Sequence, residues 1–260
     1  MIKAVFFDID GTLFSHKMMG VPDSTKKALR MLREKGIKSY IATGRCWTEM
    51  KSLPIDYSEF DGMVLLNGQI CLDSEGNIIY ESPIEEGDLK EIVFEFEQKK
   101  MPVLLIERDS IYINYVDEIV IEAQKTFSLP TPMVGEYGDK KIYQACVYAN
   151  EEQEKELMKR LQYCKTTRWH EYGIDLISEC GGKDIGIGHV LEYYGINRSE
   201  CMAFGDGEND VDMLKYAGIG VAMGNATDST KACADYVTKD IEHDGIYYAL
   251  KKYEVLENEI

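Results

Sequence analysis

AVFFDIDGTL, residues Ala4 to Leu13, decides how the rest of the chain is read. Four apolar residues run without a break into Asp8, Ile9 separates it from Asp10, and Gly11 and Thr12 follow. An unbroken apolar run of this length suits a strand covered on both faces, the central type in a parallel sheet. Two carboxylates at its end stand where such sheets place their chemistry, beyond the carboxyl ends of the strands. Gly11 permits a sharp turn or a close backbone approach. A calcium loop is excluded by spacing: an EF-hand needs its glycine at the sixth loop position, and here it is the fourth. Asp8 extends an apolar strand, so its charge requires a metal or a cationic partner. Asp8 and Asp10 are therefore the candidate catalytic pair.

Working outward, the first third alternates strands and helices. Asp23 or Ser24 is the expected N-cap of a helix whose apolar face is Ala28, Leu29, Met31 and Leu32 and which Gly36 ends. Ile37 to Thr43 reads as a strand, Thr48 to Leu53 as a short helix and Met63 to Leu66 as a strand. Strands joined by helices predict a parallel sheet with right-handed crossovers. The rhythm breaks after Asn67-Gly68. A hairpin pairs Ile70 to Leu72 with Ile78 to Tyr80. Helices are then expected over Glu86 to Lys100, Val116 to Phe127 and Glu151 to Leu161. Strands fall at Pro102 to Glu107, Ser110 to Tyr115 and Ile142 to Tyr148, with two more between Thr166 and Glu179. This middle block is α+β, with helices on one face of a mostly antiparallel sheet. The alternating rhythm resumes with a helix over Lys183 to Tyr194, a strand over Cys201 to Phe204, a helix over Asn209 to Tyr216 and a strand over Ile219 to Ala222. A helix over Thr227 to Ala234, a short strand at Tyr236-Val237 and a helix over Gly245 to Tyr253 complete it.

Composition bounds the function. The net charge of -17 repels nucleic acid and anionic membranes. Residues 81–182 carry 21 acidic and 12 basic residues, so about half of that excess lies in the middle block, a solvated surface unsuited to gripping a polyanion. No apolar run approaches the ~20 residues of a membrane span, and the run after Lys3 is too short for a signal peptide, so a cytoplasmic protein is expected. The seven cysteines form no CxxC pair and no zinc-ligand spacing, which predicts reduced, mostly buried thiols.

Three further motifs fall at strand ends or helix starts. Thr43-Gly44-Arg45 offers a hydroxyl, a flexible backbone and a guanidinium, a set that can hold a phosphate. Lys183 opens a helix behind Gly181-Gly182, where the chain re-enters the α/β rhythm. Gly205-Asp206-Gly207-Glu208-Asn209-Asp210 follows a strand and opens a helix. Its clustered hard oxygen donors suit Mg²⁺, while Asp and Asn also cap helices, so Asp206 on a metal and Asp210 or Asn209 in the first turn are compatible. With only two glycines the motif is a poor dinucleotide fingerprint.

In this order, the four motifs resemble those of the haloacid dehalogenase superfamily of phosphohydrolases. The insert between the second and third resembles the Cof-type sugar-phosphatase branch, which carries a large α+β (C2-type) cap. The resemblance spans essentially the full length and includes Asn67-Gly68 and Met223-Gly224-Asn225-Ala226. One departure is Asp184, where the family usually has glycine after the third-motif lysine.

The resemblance implies an α/β fold, a Rossmann-like parallel-sheet core at residues 1–80 and 183–260, with the α+β cap at 81–182. It implies a Mg²⁺-dependent phosphatase acting on a small phosphorylated metabolite, with sugar phosphates foremost. Asp8 would be the nucleophile that forms an aspartyl-phosphate, and Asp10 the general acid and base. Asp8, the Asp10 carbonyl and Asp206 would hold the metal. Lys183, Thr43, Gly44 and Asn209 would bind the phosphoryl oxygens, and Arg45 the phosphate or the substrate body. Gly11, Thr12 and Asp210 would support the site, Asp210 by holding Lys183 or a metal-bound water. The cap would exclude water and present substrate contacts, with Tyr143, Gln144, Trp169, His170 and Glu171 as candidates. A monomer or weak homo-oligomer is expected. Two alternatives stay open: phosphoryl transfer of the phosphomutase type, and a phospho-ligand sensor with little turnover.

Overall fold

A computed structural model describes residues 1–126 and 130–257. In chain order the strands are β1 (Ala4–Phe7), β2 (Lys38–Ala42), β3 (Gly62–Leu65), β4 (Ile70–Asp73), β5 (Ile78–Glu81), β6 (Val103–Ile106) and β7 (Ile111–Ile113). They continue as β8 (Gln144–Tyr148), β9 (Cys164–His170), β10 (Gly173–Ser178), β11 (Cys201–Gly205), β12 (Ile219–Ala222) and β13 (Tyr236–Val237). The chain falls into two compact units. One is built from Met1–Arg45, Glu49–Glu81 and the chain from Gly182 onward; the other from Cys46–Thr48 and Ser82–Gly181.

The first unit is an eight-stranded sheet ordered β13-β12-β11-β1-β2-β3-β4-β5. β1 lies inside it, parallel to β2 on one side and β11 on the other. Both faces of β1 are covered. Ala4 and Phe6 join a core with Tyr40, Ile187, Val190 and Leu191, while Phe7 on the opposite face stacks on Phe204 with ring centroids 5.3 Å apart. This two-sided burial is why the run contains no polar residue before Asp8. The sheet is mixed rather than wholly parallel, because the hairpin of β4 and β5 adds two antiparallel strands beyond β3.

The second unit is an antiparallel sheet ordered β7-β6-β8-β10-β9. Val103, Leu105, Ala145, Val147, Ile174 and Leu176 pack against Ile92 and Phe96 of the helix Glu86–Gln98 and Leu157 of the helix Glu151–Met158. A third helix spans Glu118–Thr126; Phe127, the last residue of the helix expected there, lies outside the described residues.

Three local expectations need correction. Neither Asp23 nor Ser24 caps the helix Asp23–Glu34. Its N-cap is Pro22, with no side-chain cap bond; the Pro22 carbonyl accepts from Lys26 N–H at 3.0 Å, and the Asp23 carboxylate pairs with the Lys26 ammonium instead. The short helix expected over Thr48 to Leu53 is confined to Trp47–Met50. The helix expected from Asn209 begins as a 3₁₀ turn, Glu208–Asp210, and becomes α-helical only at Val211–Tyr216. There the Asp210 carboxylate accepts from the backbone N–H groups of Asp206 and Gly207 and tightens the entry. Among the described residues, no helix is long and apolar enough to cross a membrane.

Candidate active site

Strand register brings the motifs together. Phe7 is level with Ile41 on β2 and with Phe204 on β11. Asp8 therefore leaves the sheet beside Thr43 and Asp206, each the first residue past its own strand's end. The Asp8 N–H still donates to the Phe204 carbonyl at 3.0 Å.

Lys183 opens the helix Lys183–Tyr194, and its side chain is fully buried. Its ammonium donates to Asp8 Oδ1 at 2.7 Å and to Asp210 Oδ1 at 2.6 Å. Asp184 is accommodated beside it because its carboxylate folds back against Gly182, whose φ of +155° sits at the edge of the range that favours glycine. Thr12 Oγ1 donates to Asp206 Oδ1 at 3.0 Å. Gly11, at φ +81°, passes so close to the Asp206 carboxylate that a Cβ there would overlap it.

Carboxylate oxygens of Asp8, Asp206 and Asp210 all lie within 4.8 Å of one another. Three acids face one buried ammonium, and the strain is electrostatic. Burial, then the proximity of Asp210, pushes the Asp206 carboxyl up to about 7; the Thr12 hydrogen bond and Lys183 offset only part of this. Asp8 is raised for the same reasons, against the pull of Lys183. Burial alone would lower Lys183, but Asp210 and Asp8 hold it above the ordinary lysine value. A divalent cation among all-oxygen donors would relieve this surplus of negative charge, and the donor set fits Mg²⁺.

Asp10 stands apart from that cluster. Arg45 Nε donates to its Oδ2 at 2.6 Å and Arg45 Nη2 to its Oδ1 at 2.8 Å. His16 Nε2–H donates to the same Oδ1 at 2.7 Å. Burial pushes the Asp10 carboxyl up, but the Arg45 bonds and charge, joined by His16, hold it below the usual carboxylate range. Arg45, expected on the phosphate or substrate, is thus engaged by Asp10.

Thr43 is buried; its Oγ1 accepts from Arg45 N–H at 3.2 Å. Asn209 Nδ2 donates to Asn67 Oδ1 at 3.1 Å, and Asn67 in turn sits against the Cα of Gly44. The structure therefore groups Gly44 and Asn209 around Asn67, a residue in the left-handed region at φ 52°.

Sequence reasoning singled out neither His16 nor Asn225 for this site. Asn225 Nδ2 donates to the Gly11 carbonyl at 2.8 Å and to Asp206 Oδ2 at 3.3 Å, while its Oδ1 accepts from Ile241 N–H at 2.9 Å. The signal for Asn225 was the Met-Gly-Asn-Ala mark after β12; nothing in the sequence distinguishes His16. Of the residues proposed on the insert, Tyr143 and Gln144 are buried, and Trp169 Nε1 donates to Asp175 Oδ1 at 3.0 Å. His170 Nδ1 accepts from Tyr172 N–H at 3.3 Å, and Glu171 is exposed.

Known proteins resemble this one over nearly the whole chain. The family profile of haloacid dehalogenase-like hydrolases matches residues 5–250. YkrA of Bacillus subtilis (strain 168), a protein named for a phosphatase, is 33% identical over 257 residues, which is 98% of each chain. Among solved structures, BT1666 from Bacteroides thetaiotaomicron, from the phosphatases of that superfamily, superposes with a TM-score of 0.89 at 34% identity, covering 98% of this chain and 96% of that one. The subclass IIB sugar phosphatase BT4131 gives a TM-score of 0.84 at 34% identity, covering 98% of this chain and all of the other.

Proposed function

The chain belongs to the haloacid dehalogenase-like hydrolase family and is a phosphatase with an α/β core and an inserted α+β unit, and from that premise we propose that it hydrolyses small phosphorylated metabolites, sugar phosphates foremost, with Mg²⁺ and through an aspartyl-phosphate on Asp8. The observation that carries this reading is Asp8 at the end of β1, bonded to the buried Lys183 and within 4.8 Å of Asp206 and Asp210. Likeness to a sugar phosphatase over the whole chain supports the substrate class. The α/β unit is assigned the chemistry and the insert is assigned as the α+β cap. A cytoplasmic monomer or weak homo-oligomer is the accompanying expectation.

Asp8, as carboxylate, attacks phosphorus; the new Asp8 O–P bond forms as the bond to the leaving oxygen breaks. Asp10, a carboxylate while only Arg45 and His16 face it, takes up a proton as the phosphoryl dianion comes beside it; it gives that proton to the leaving oxygen and then takes one from the water that cleaves the aspartyl-phosphate, releasing inorganic phosphate. Lys183 offsets the repulsion between a carboxylate nucleophile and a phosphoryl dianion. Lys183, Thr43, Gly44 and Asn209 are the proposed ligands of the phosphoryl oxygens, and Arg45 of the phosphate or the substrate body. Asp8 and Asp206 through carboxylates, and Asp10 through its carbonyl, would hold Mg²⁺, which when bound neutralises charge on the phosphoryl oxygens. Asp210 has both oxygens committed to Lys183 and backbone N–H groups, so its part is to hold Lys183.

Phosphate release from 4-nitrophenyl phosphate and a panel of sugar phosphates, with Mg²⁺ and after chelation, tests the proposal. Asp8→Asn is expected to lower turnover by at least about 10⁴-fold, as loss of a covalent nucleophile does elsewhere. Turnover that survives in Asp8→Asn overturns the nucleophile assignment. Activity indifferent to chelation overturns the metal. Isomerised sugar phosphate in place of free phosphate would mark a mutase.

A further inference from the structure

The Asp10 carboxylate is held from two directions, and only Arg45 belongs to a motif expected at the site. We propose that His16 is a positioning residue for Asp10, aiming its carboxyl group for proton transfer to the leaving oxygen. This rests on the reading of Asp10 as the proton donor. Asp10 Oδ1 accepts from His16 Nε2–H at 2.7 Å, while Arg45 spans both oxygens at 2.6 and 2.8 Å. The Arg45 fork sets the plane of the carboxylate, and His16, from a different element, holds Oδ1 against movement of the Arg45–Asp10 pair as a unit; fixed orientation at the reacting group is worth rate.

The imidazole is itself fixed by the fold. Between Asp10 and His16 the chain turns back on itself: Gly11 N–H donates to the Phe14 carbonyl at 3.0 Å and Phe14 N–H to the Ile9 carbonyl at 2.7 Å. Ser15 and Gly20 then exchange two backbone hydrogen bonds, closing a hairpin. Ser15 Oγ anchors the base of that hairpin on Glu242 Oε1 at 2.6 Å. The His16 ring meets the buried Phe14 ring edge-on, with centroids 5.1 Å apart at 88°. Phe14 and the hairpin set the ring plane, and the ring plane sets where Nε2 points. His16 stays about half exposed, so it neither fills the core nor closes a buried cluster.

Proton transfer matters in proportion to how poor the leaving group is. 4-Nitrophenolate departs without a proton, whereas phenolate and alkoxides need one increasingly. The test measures kcat/KM, which stops at formation of the aspartyl-phosphate, for 4-nitrophenyl phosphate and phenyl phosphate with Mg²⁺. His16→Ala is expected to lower the phenyl value about tenfold and the nitrophenyl value by no more than about twofold, part of the ~10²–10⁴ that general acid help supplies. His16→Gln, which keeps an N–H donor on a side chain of similar reach, is expected to recover most of the phenyl value. Equal losses on both esters, no loss on either, or a Gln variant as impaired as Ala overturns the proposal. Asp10→Asn run beside them separates the two layers. If it shows no dependence on leaving group, Asp10 is not the donor and both readings fall. If it shows a steep dependence that His16→Ala lacks, only the role of His16 falls.

Discussion

Lys183 Nζ lies 2.7 Å from Asp8 Oδ1, joining residues 175 positions apart in the chain. The lysine side chain is wholly buried, and its second partner Asp210 is buried with it. A buried ion triad is costly to break from one side, because the partners left behind are uncompensated charges. Lys183→Met is expected to lose about 3–5 kcal/mol of stability. Its aryl-phosphate turnover should fall by about 10²–10³-fold or more, as when one preorganised donor to a developing charge is removed. Urea unfolding and phosphate release read the two effects. An active, stable Lys183→Met would show that the charge does not balance Asp8.

Gly11 is constrained twice. Its φ is +81°, and a Cβ would run into the Asp206 carboxylate. Gly11→Ala is expected to cost about 1–2 kcal/mol from the left-handed backbone alone. It should also weaken Mg²⁺ binding at least about tenfold by displacing Asp206 from Thr12 and Asn225. Titrating Mg²⁺ against turnover measures the second effect; unchanged half-saturation would contradict the close approach.

The crowded carboxylates make stability depend on pH when metal is withheld. Asp206 sits at about 7 in the fold, against about 3.9 for an ordinary aspartate. Between those values the folded state binds more protons than the unfolded state, so stability falls as pH rises through that window. Asp8, also raised, acts in the same direction. Asp10, held low, contributes with the opposite sign but only at lower pH. In chelator, Tm should drop between about pH 5 and pH 7.5, and the gain on adding Mg²⁺ should grow over the same range, because the cation then displaces fewer protons. A Tm that rises with pH in chelator would contradict the raised values.

Asn114 is a structural test of the inserted unit. It is 1% exposed. Its Oδ1 accepts from Val103 and Tyr115 N–H groups, both at 2.9 Å, and its Nδ2 donates to the Phe96 and Met101 carbonyls at 2.9 and 3.1 Å. Asn114→Ala leaves four backbone groups without this partner and is expected to cost about 2–4 kcal/mol in denaturant melts. A loss under about 0.5 kcal/mol, the range of ordinary surface substitutions, would mean that other partners replace it.

The sequence by itself determined the order of elements and the ends at which polar chemistry appears. A strand buried on both faces disfavours polar residues, so the unbroken run AVFF ends at Asp8, where the strand ends. The same logic pointed to Asp206 after β11, whereas β2 carries a buried Ser39 and Thr43 was marked by its Gly-Arg neighbours. Spacing excluded an EF-hand calcium loop, and the missing third glycine made the Gly205-Asp206-Gly207 motif a poor dinucleotide fingerprint. Tertiary structure alone decided which of these groups meet. The pairing of Lys183 with Asp8 and Asp210 follows from the register of β1 between β2 and β11 and from where one helix begins, and neither is a local property of the chain. That Arg45 meets Asp10 was decided by the fold, which brings a carboxylate within bidentate reach of its guanidinium. His16 was invisible because six residues of separation become 2.7 Å only after the chain has folded back over Phe14. Burial is a one-body property that composition and pattern encode, whereas side-chain contact is a two-body property that exists only once the fold has brought the residues together.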